Sequence, residues 1–229
     1  MNIRRSEIYR YMGYRTEKNS TGTGMNSEMK EEIDGVIDEV LEKLNKTANM
    51  KHCCREFSLR QESGRLIIGE GSEQMRVESR NLENNLRGCG RVLLFAATLG
   101  SGVDLTIRRY ELTSMAEAMI AQAAGAEMIE AYVEEQVRLL EQEYRKRNIY
   151  LRPRFSPGYG DFNLEHQKDF FRLLDIEKLL GIRLTPSLLM VPIKSVTAVI
   201  GLTDRGEDCH ISHCGSCDKK DCEFREETD

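Results

Sequence analysis

Ser114-Met-Ala-Glu-Ala-Met-Ile-Ala-Gln-Ala-Ala-Gly-Ala-Glu-Met-Ile-Glu-Ala-Tyr-Val133 opens the strongest helical pattern in this chain. Ser114-Met-Ala-Glu117 has the form of a capping box, in which a serine and a glutamate three residues on satisfy free amides at a helix start. Residues 103–147 therefore read as two helices broken at Thr113 and Ser114. In the second, Met115, Met119, Gln122, Ala126, Ile129, Val133, Val137 and Leu140 recur at three- and four-residue spacing, predicting one apolar face. Residues 121–126 include five small residues, four alanines and Gly125, which allow another backbone or side chain to approach closely.

Strand signals flank this helical block. Residues 56–58 and 65–68 lie on either side of Gly64, and 92–96 is an apolar run ending in Leu99-Gly-Ser-Gly102. All four prolines lie between Pro153 and Pro192, so the chain there must be cut into short elements. Residues 169–174 read as a helix, with Asp175 capping a second one that Gly181 ends. Residues 187–191 and 195–202 are β-branched runs separated by Pro192-Ile-Lys194, which predicts a hairpin or adjacent strands. At the other end, residues 1–26 are polar and read as an extended arm leading to a loop. Residues 27–46 show amphipathic helical spacing with Ser27 as N-cap. Segregated strand and helix runs give an α+β fold: a twisted, largely antiparallel sheet with long helices packed against it, followed by a cysteine-rich C-terminal tail. No internal repeat is present.

The 229 residues are 40% hydrophobic and 31% charged, enough apolar material for a sizeable core. With 33 basic and 38 acidic residues the net charge is −5, which leaves no cationic excess for nucleic-acid phosphates. No apolar run is long enough to span a bilayer, and the first residues lack the apolar stretch of a signal peptide; the expected location is the cytoplasm. Seven cysteines, an odd number, are then expected as thiols or metal ligands rather than a disulfide framework. The adjacent Cys53 and Cys54 read by default as buried small apolar side chains.

Two stretches carry chemistry. The first is Arg152-Pro-Arg-Phe-Ser-Pro-Gly-Tyr-Gly-Asp161. Its prolines stiffen the backbone and its glycines expose it, Arg154 presents a fork suited to a carboxylate, and Tyr159 can cover a flat or cationic group. On composition alone, a surface turn with an ordinary salt bridge is the simpler reading. The second is Cys209-x4-Cys214-x2-Cys217-x4-Cys222, four thiolates within 14 residues. Four soft ligands so spaced suit a tetrahedral zinc or an iron–sulfur cluster, and the spacing does not choose between them. His210 and His213 are further ligand candidates, whereas His52 and His166 stand alone and read as ordinary polar groups.

Arg154-Phe-Ser-Pro-Gly-Tyr159 is followed by Glu165-His166, Leu173-Leu-Asp-Ile-Glu-Lys178, Gly181-Ile-Arg-Leu-Thr185, Met190 and Ser195-Val196. With Thr98-Leu-Gly-Ser-Gly-Val-Asp104 and the long helix bearing Glu127 and Tyr132, this series resembles, in order and spacing, the activation domain of vitamin B12-dependent methionine synthase. The resemblance spans residues 90–201, is weak before 56 and stops at Leu202. It implies a domain that binds S-adenosylmethionine and supplies its methyl group for the reductive methylation of cob(II)alamin. By motif, Arg154 matches the arginine that engages the ligand carboxylate, Ser156 the position whose backbone meets the adenosyl part, Tyr159 the tyrosine near the sulfonium, and Glu127 the helix glutamate of that site. Two family features lack counterparts: an N-terminal aspartate, and a tyrosine near the C-terminus where this chain has its cysteines.

Asp208-x-His210-x2-His213 lacks the glycine of the cobalamin-binding signature Asp-x-His-x2-Gly. The corrinoid is thus expected on a separate cobalamin-binding methionine synthase without its own activation domain, with a flavodoxin- or ferredoxin-type electron donor. The division expected is an N-terminal arm and helix (1–55), an activation-like domain (56–202) and a metal-binding tail (203–229). Two other readings stay open: an iron–sulfur activator of corrinoid methyltransferases, and a zinc-stabilised interaction module.

Overall fold

The computed structural model describes residues 1–14, 27–62 and 64–205. In chain order the elements are α1 (Arg5–Tyr11), α2 (Ser27–Thr47), β1 (Lys51–Glu62), β2 (Arg65–Glu70), β3 (Glu73–Val77), α3 (Arg80–Asn85), β4 (Arg91–Thr98) and α4 (Ser101–Thr113). There follow α5 (Met115–Arg145), β5 (Tyr150–Leu151), α6 (Gln167–Leu174), α7 (Ile176–Leu180), β6 (Arg183–Leu184), β7 (Met190–Val191) and β8 (Ser195–Thr203). The architecture is α+β, as the segregated runs predict. Among the described residues no helix is long and apolar enough to cross a membrane. The chain divides into two units.

The first unit, Met1–Lys51, Ala97–Gln136 and Leu189–Ser195, is mainly helical. From α2 it buries Ile37, Val40 and Leu44, and from α4 Val103, Ile107 and Tyr110, all at helical spacing. The first turn of α4 meets the last of α2 so closely that a Cβ on Gly102 would lie 2.1 Å from the Thr47 carbonyl oxygen. The small-residue stretch of α5 has the same explanation, since a Cβ on Gly125 would lie 3.2 Å from Ile107 Cδ1. Asp104 of α4 accepts a 2.6 Å hydrogen bond from the Ile193 amide, and the Thr98 hydroxyl lies 2.9 Å from Ser195 Oγ. The turn motif Thr98 to Asp104 thereby clasps the segment around Lys194.

The second unit, His52–Ala96, Val137–Leu188 and Val196 onward, carries the sheet. Its six strands run in the order β3-β2-β1-β4-β8-β5, with β1–β2, β2–β3 and β5–β8 antiparallel. Burial is almost continuous along the central β4 and β8, as expected of strands covered on both faces. Behind β8, buried Thr197 donates a 2.9 Å hydrogen bond to Oε1 of buried Gln167, which fixes the start of α6.

Four expectations need correction. The polar arm contains the helix α1, whose Ile8 is fully buried and whose Arg5 and Tyr9 bind Asp34. The apolar face of α5 is rotated: Ile129 and Val133 are buried, but Met115 and Met119 are 71% and 50% exposed, while Ala118, Ala121, Ala124 and Met128 line the core. The runs around Pro192 form no hairpin, because β7 lies outside the six-stranded sheet and Asp104 turns Ile193 aside. Neither of the adjacent cysteines is buried: Cys53 is half-buried and Cys54 exposed.

Candidate functional site

The 152–161 loop lies in the second unit and begins anchored. Its Arg152 is buried, with the amide donating to the Gly201 carbonyl and the guanidinium to the Arg87 carbonyl, both at 2.8 Å. Three residues on, Phe155 and Val199 of β8 exchange backbone hydrogen bonds. Arg154 and Ser156, between and beside these anchors, are half-buried.

The chain then turns tightly. Tyr159 donates its amide to the Ser156 carbonyl at 3.2 Å, and Gly158 donates to the Phe162 carbonyl at 2.7 Å. Phe162 is buried against Phe155 and His166. Tyr159 in contrast is 65% exposed, its ring edge-on to Phe155 at 6.5 Å between centroids. An aromatic ring is thus displayed on a backbone that is pinned on both sides.

The far end of the turn is held by Asp161. Its carboxylate accepts the Ser79 hydroxyl, the Arg80 amide at 2.7 Å and the Asn81 amide at 3.2 Å. Ser79 also caps α3 through the Leu82 amide, so one carboxylate fastens the loop to the start of a helix whose amides are otherwise free. Burial works against the charge, but these donors outweigh it and hold the Asp161 carboxyl below the ordinary aspartate range. Gly160, at φ +54°, is needed here: a Cβ would lie 2.3 Å from Asn81 Nδ2. Asp161 had no role in the sequence reading, although Ser79 before a polar run is a cap signal.

Glu127 belongs to the first unit and is fully buried on α5. Its Oε1 accepts the Arg4 backbone amide at 2.9 Å and the Arg4 Nε at 3.3 Å, while Arg4 Nη2 reaches Glu134 at 3.0 Å. The second oxygen, Oε2, is buried without a hydrogen-bond partner among the described residues. Burial pushes the carboxyl above the usual glutamate range, against the pull of Arg4. Nothing in the polar N-terminal sequence signals this pair. A neighbouring groove of the same unit is lined by Tyr11, Met12, Met115, Met119, Ala126 and Lys194. The first half of the predicted apolar face therefore lines a groove instead of the core.

Cys209, Cys214, Cys217 and Cys222 lie outside the described residues, as do His210 and His213. Among the described residues no cluster of three or more histidine, cysteine or acidic side chains is placed to hold a metal.

Comparison with known proteins bears on both units. No curated protein matches the chain. A solved structure, the crystal structure of the MetH reactivation domain bound to AdoHcy, matches at TM-score 0.64 and 18% identity, covering 87% of this chain and 73% of that one. At that identity the likeness shows the fold. The family model for the activation domain of vitamin B12-dependent methionine synthase matches residues 82–226, well over half of the chain. This match reaches beyond the Leu202 limit of the motif resemblance and includes the 152–161 loop, Glu127 and the four tail cysteines. The chain belongs to the family of vitamin B12-dependent methionine synthase activation domains.

Proposed function

We propose that this chain binds S-adenosylmethionine and serves the reductive methylation of cob(II)alamin on a separate methionine synthase that lacks this domain. The observation that carries the reading is the 152–161 loop, which displays Tyr159 on a backbone fixed at Arg152, Phe155, Phe162 and Asp161. Arg154 takes the ligand carboxylate through its planar fork. Tyr159 faces the sulfonium, where cation–π attraction is worth about 0.5–2 kcal/mol. Backbone at Ser156 meets the adenosyl part, and Glu127 is the acidic partner of the ligand ammonium.

The balance is simple. One electron from a flavodoxin- or ferredoxin-type donor and one methyl cation from the sulfonium, which leaves as S-adenosylhomocysteine, convert the partner's cob(II)alamin to methylcobalamin. The residues of this chain bind and orient the methyl donor, and the corrinoid is held by the partner. The division into residues 1–55, 56–202 and a metal-binding tail at 203–229 belongs to this proposal. An iron–sulfur cluster on the four tail cysteines would make the chain an electron-transfer component as well, whereas zinc would make the tail a folded interaction module. Metal and sulfide analysis of anaerobically purified protein separates the two.

Calorimetric titration with S-adenosylmethionine tests the reading. Saturable binding is expected, weakened at least tenfold in Arg154→Ala because the carboxylate loses its bidentate partner. Absence of binding by the intact chain, with or without a cobalamin-loaded partner, would refute it.

A further inference from the structure

Glu127 is fully buried, and among the described residues the two donors on its Oε1 come from one residue of the N-terminal segment. The Arg4 amide and guanidinium place two donors and a positive charge on Oε1, the chemistry that a ligand ammonium offers a carboxylate. Oε2 has no donor among the described residues. A buried carboxylate oxygen without a partner is costly and calls for one. A group arriving from solvent cannot reach it while the carboxylate is completely covered.

What covers this region is weakly tied. Arg5 pairs with Asp34 and Asp38, and Tyr9 donates to Asp34, but the Arg5 pairs are solvent-exposed and therefore individually weak. Ile8 and Tyr9 supply the only side chains of α1 that are buried. Apart from the Arg4 contacts with Glu127 and Glu134, this seven-residue helix is anchored by two buried side chains, the part-buried Tyr9–Asp34 hydrogen bond and exposed ion pairs. That set of ties is small enough for local opening.

We propose that α1 is a displaceable strap over Glu127: Arg4 occupies the carboxylate that the methyl donor's ammonium takes, and α1 lifts before the ligand can engage it. This rests on the assignment of Glu127 to the S-adenosylmethionine site and names the regulation of that site. Apparent affinity is then the intrinsic affinity reduced by the fraction of molecules with the strap open. Any event that draws α1 away, such as docking of the corrinoid partner on the N-terminal segment, raises affinity for the methyl donor.

The test titrates S-adenosylmethionine into the intact chain and into Arg4→Ala, Asp34→Ala and Arg154→Ala variants, with amide exchange of α1 followed in the intact chain. Arg4→Ala and Asp34→Ala are each expected to bind roughly five- to tenfold tighter. Asp34 binds α1 through Arg5 and Tyr9 and does not touch Glu127, so its effect separates strap release from a change of charge at the carboxylate. Amides of Glu7 to Tyr11 should exchange faster at saturating ligand, a measurement that needs no substitution. Unchanged or weaker binding in the two variants, or α1 amides indifferent to ligand, would overturn the strap. If the strap fails in either way while the intact chain still binds and Arg154→Ala weakens it, the S-adenosylmethionine reading stands without the strap. No binding by any of the four overturns both.

Discussion

Asp161 and Glu127 carry opposite electrostatic signatures, and the difference follows from what surrounds each oxygen. Asp161 has a hydroxyl and two helix amides and is held below the ordinary range; Glu127 has one arginine and an unpartnered oxygen and is pushed above it. For Asp161 the folded state favours the charged form. Its contribution is therefore present above the unfolded aspartate pKa of about 3.9 and disappears as pH falls through the lower folded value. Asp161→Ala is expected to cost about 1 kcal/mol at pH 7, the scale of a lost helix cap. Urea titrations of both proteins at neutral pH and near pH 3 check this, and the gap between them should narrow in acid. For Glu127 the sign reverses: ionisation costs more in the folded state, so its penalty grows as pH rises through the unfolded value of about 4.3 and levels off above the folded one.

Among the elements, packing distance decides what a substitution does. Gly102 stands 2.1 Å, in Cβ terms, from a backbone oxygen of α2, which cannot swing away like a side chain. Gly102→Ala should destabilise by about 1–3 kcal/mol through overpacking. Gly35 in the middle of α2 has nothing within 4 Å of its would-be Cβ, and Gly35→Ala should stabilise by about 0.5–1 kcal/mol through helix propensity. Thermal or urea unfolding of the two variants gives opposite shifts if α2 and α4 are packed as described. The same elements show which local signals were legible. The α4–α5 break is written in Ser114, whose hydroxyl receives the Glu117 amide at 3.3 Å, and α2 in its apolar spacing. The face of α5 misled because alanines bury without advertising themselves, while Met115 and Met119 look like core and line a groove. Strand β3 escaped because only Met75 and Val77 of Glu73-Gln-Met-Arg-Val are buried. Helix α1 escaped because its partners, Asp34 and Glu127, lie far along the chain.

For the whole molecule, ligand binding and stability are one equilibrium. If the chain binds S-adenosylmethionine as proposed, saturation at about a hundred times its Kd is expected to add about 2.7 kcal/mol to the folded state. For a chain of this length that amounts to a rise in Tm of roughly 5–11 °C, which differential scanning fluorimetry reads directly. Arg154→Ala should lose most of the rise at the same ligand concentration. The candidate loop was legible in the sequence because Arg154-Phe-Ser-Pro-Gly-Tyr159 is contiguous, and the family match over residues 82–226 includes it. Its fastening was not, since Arg80 and Asn81 contribute amides and any residue but proline has one. That asymmetry reaches beyond stability. A saturation library over residues 79–81 scored for methyl-donor binding should accept nearly every side chain at position 80 and reject proline there, so the chain can drift freely at Arg80 while the loop it holds stays unchanged.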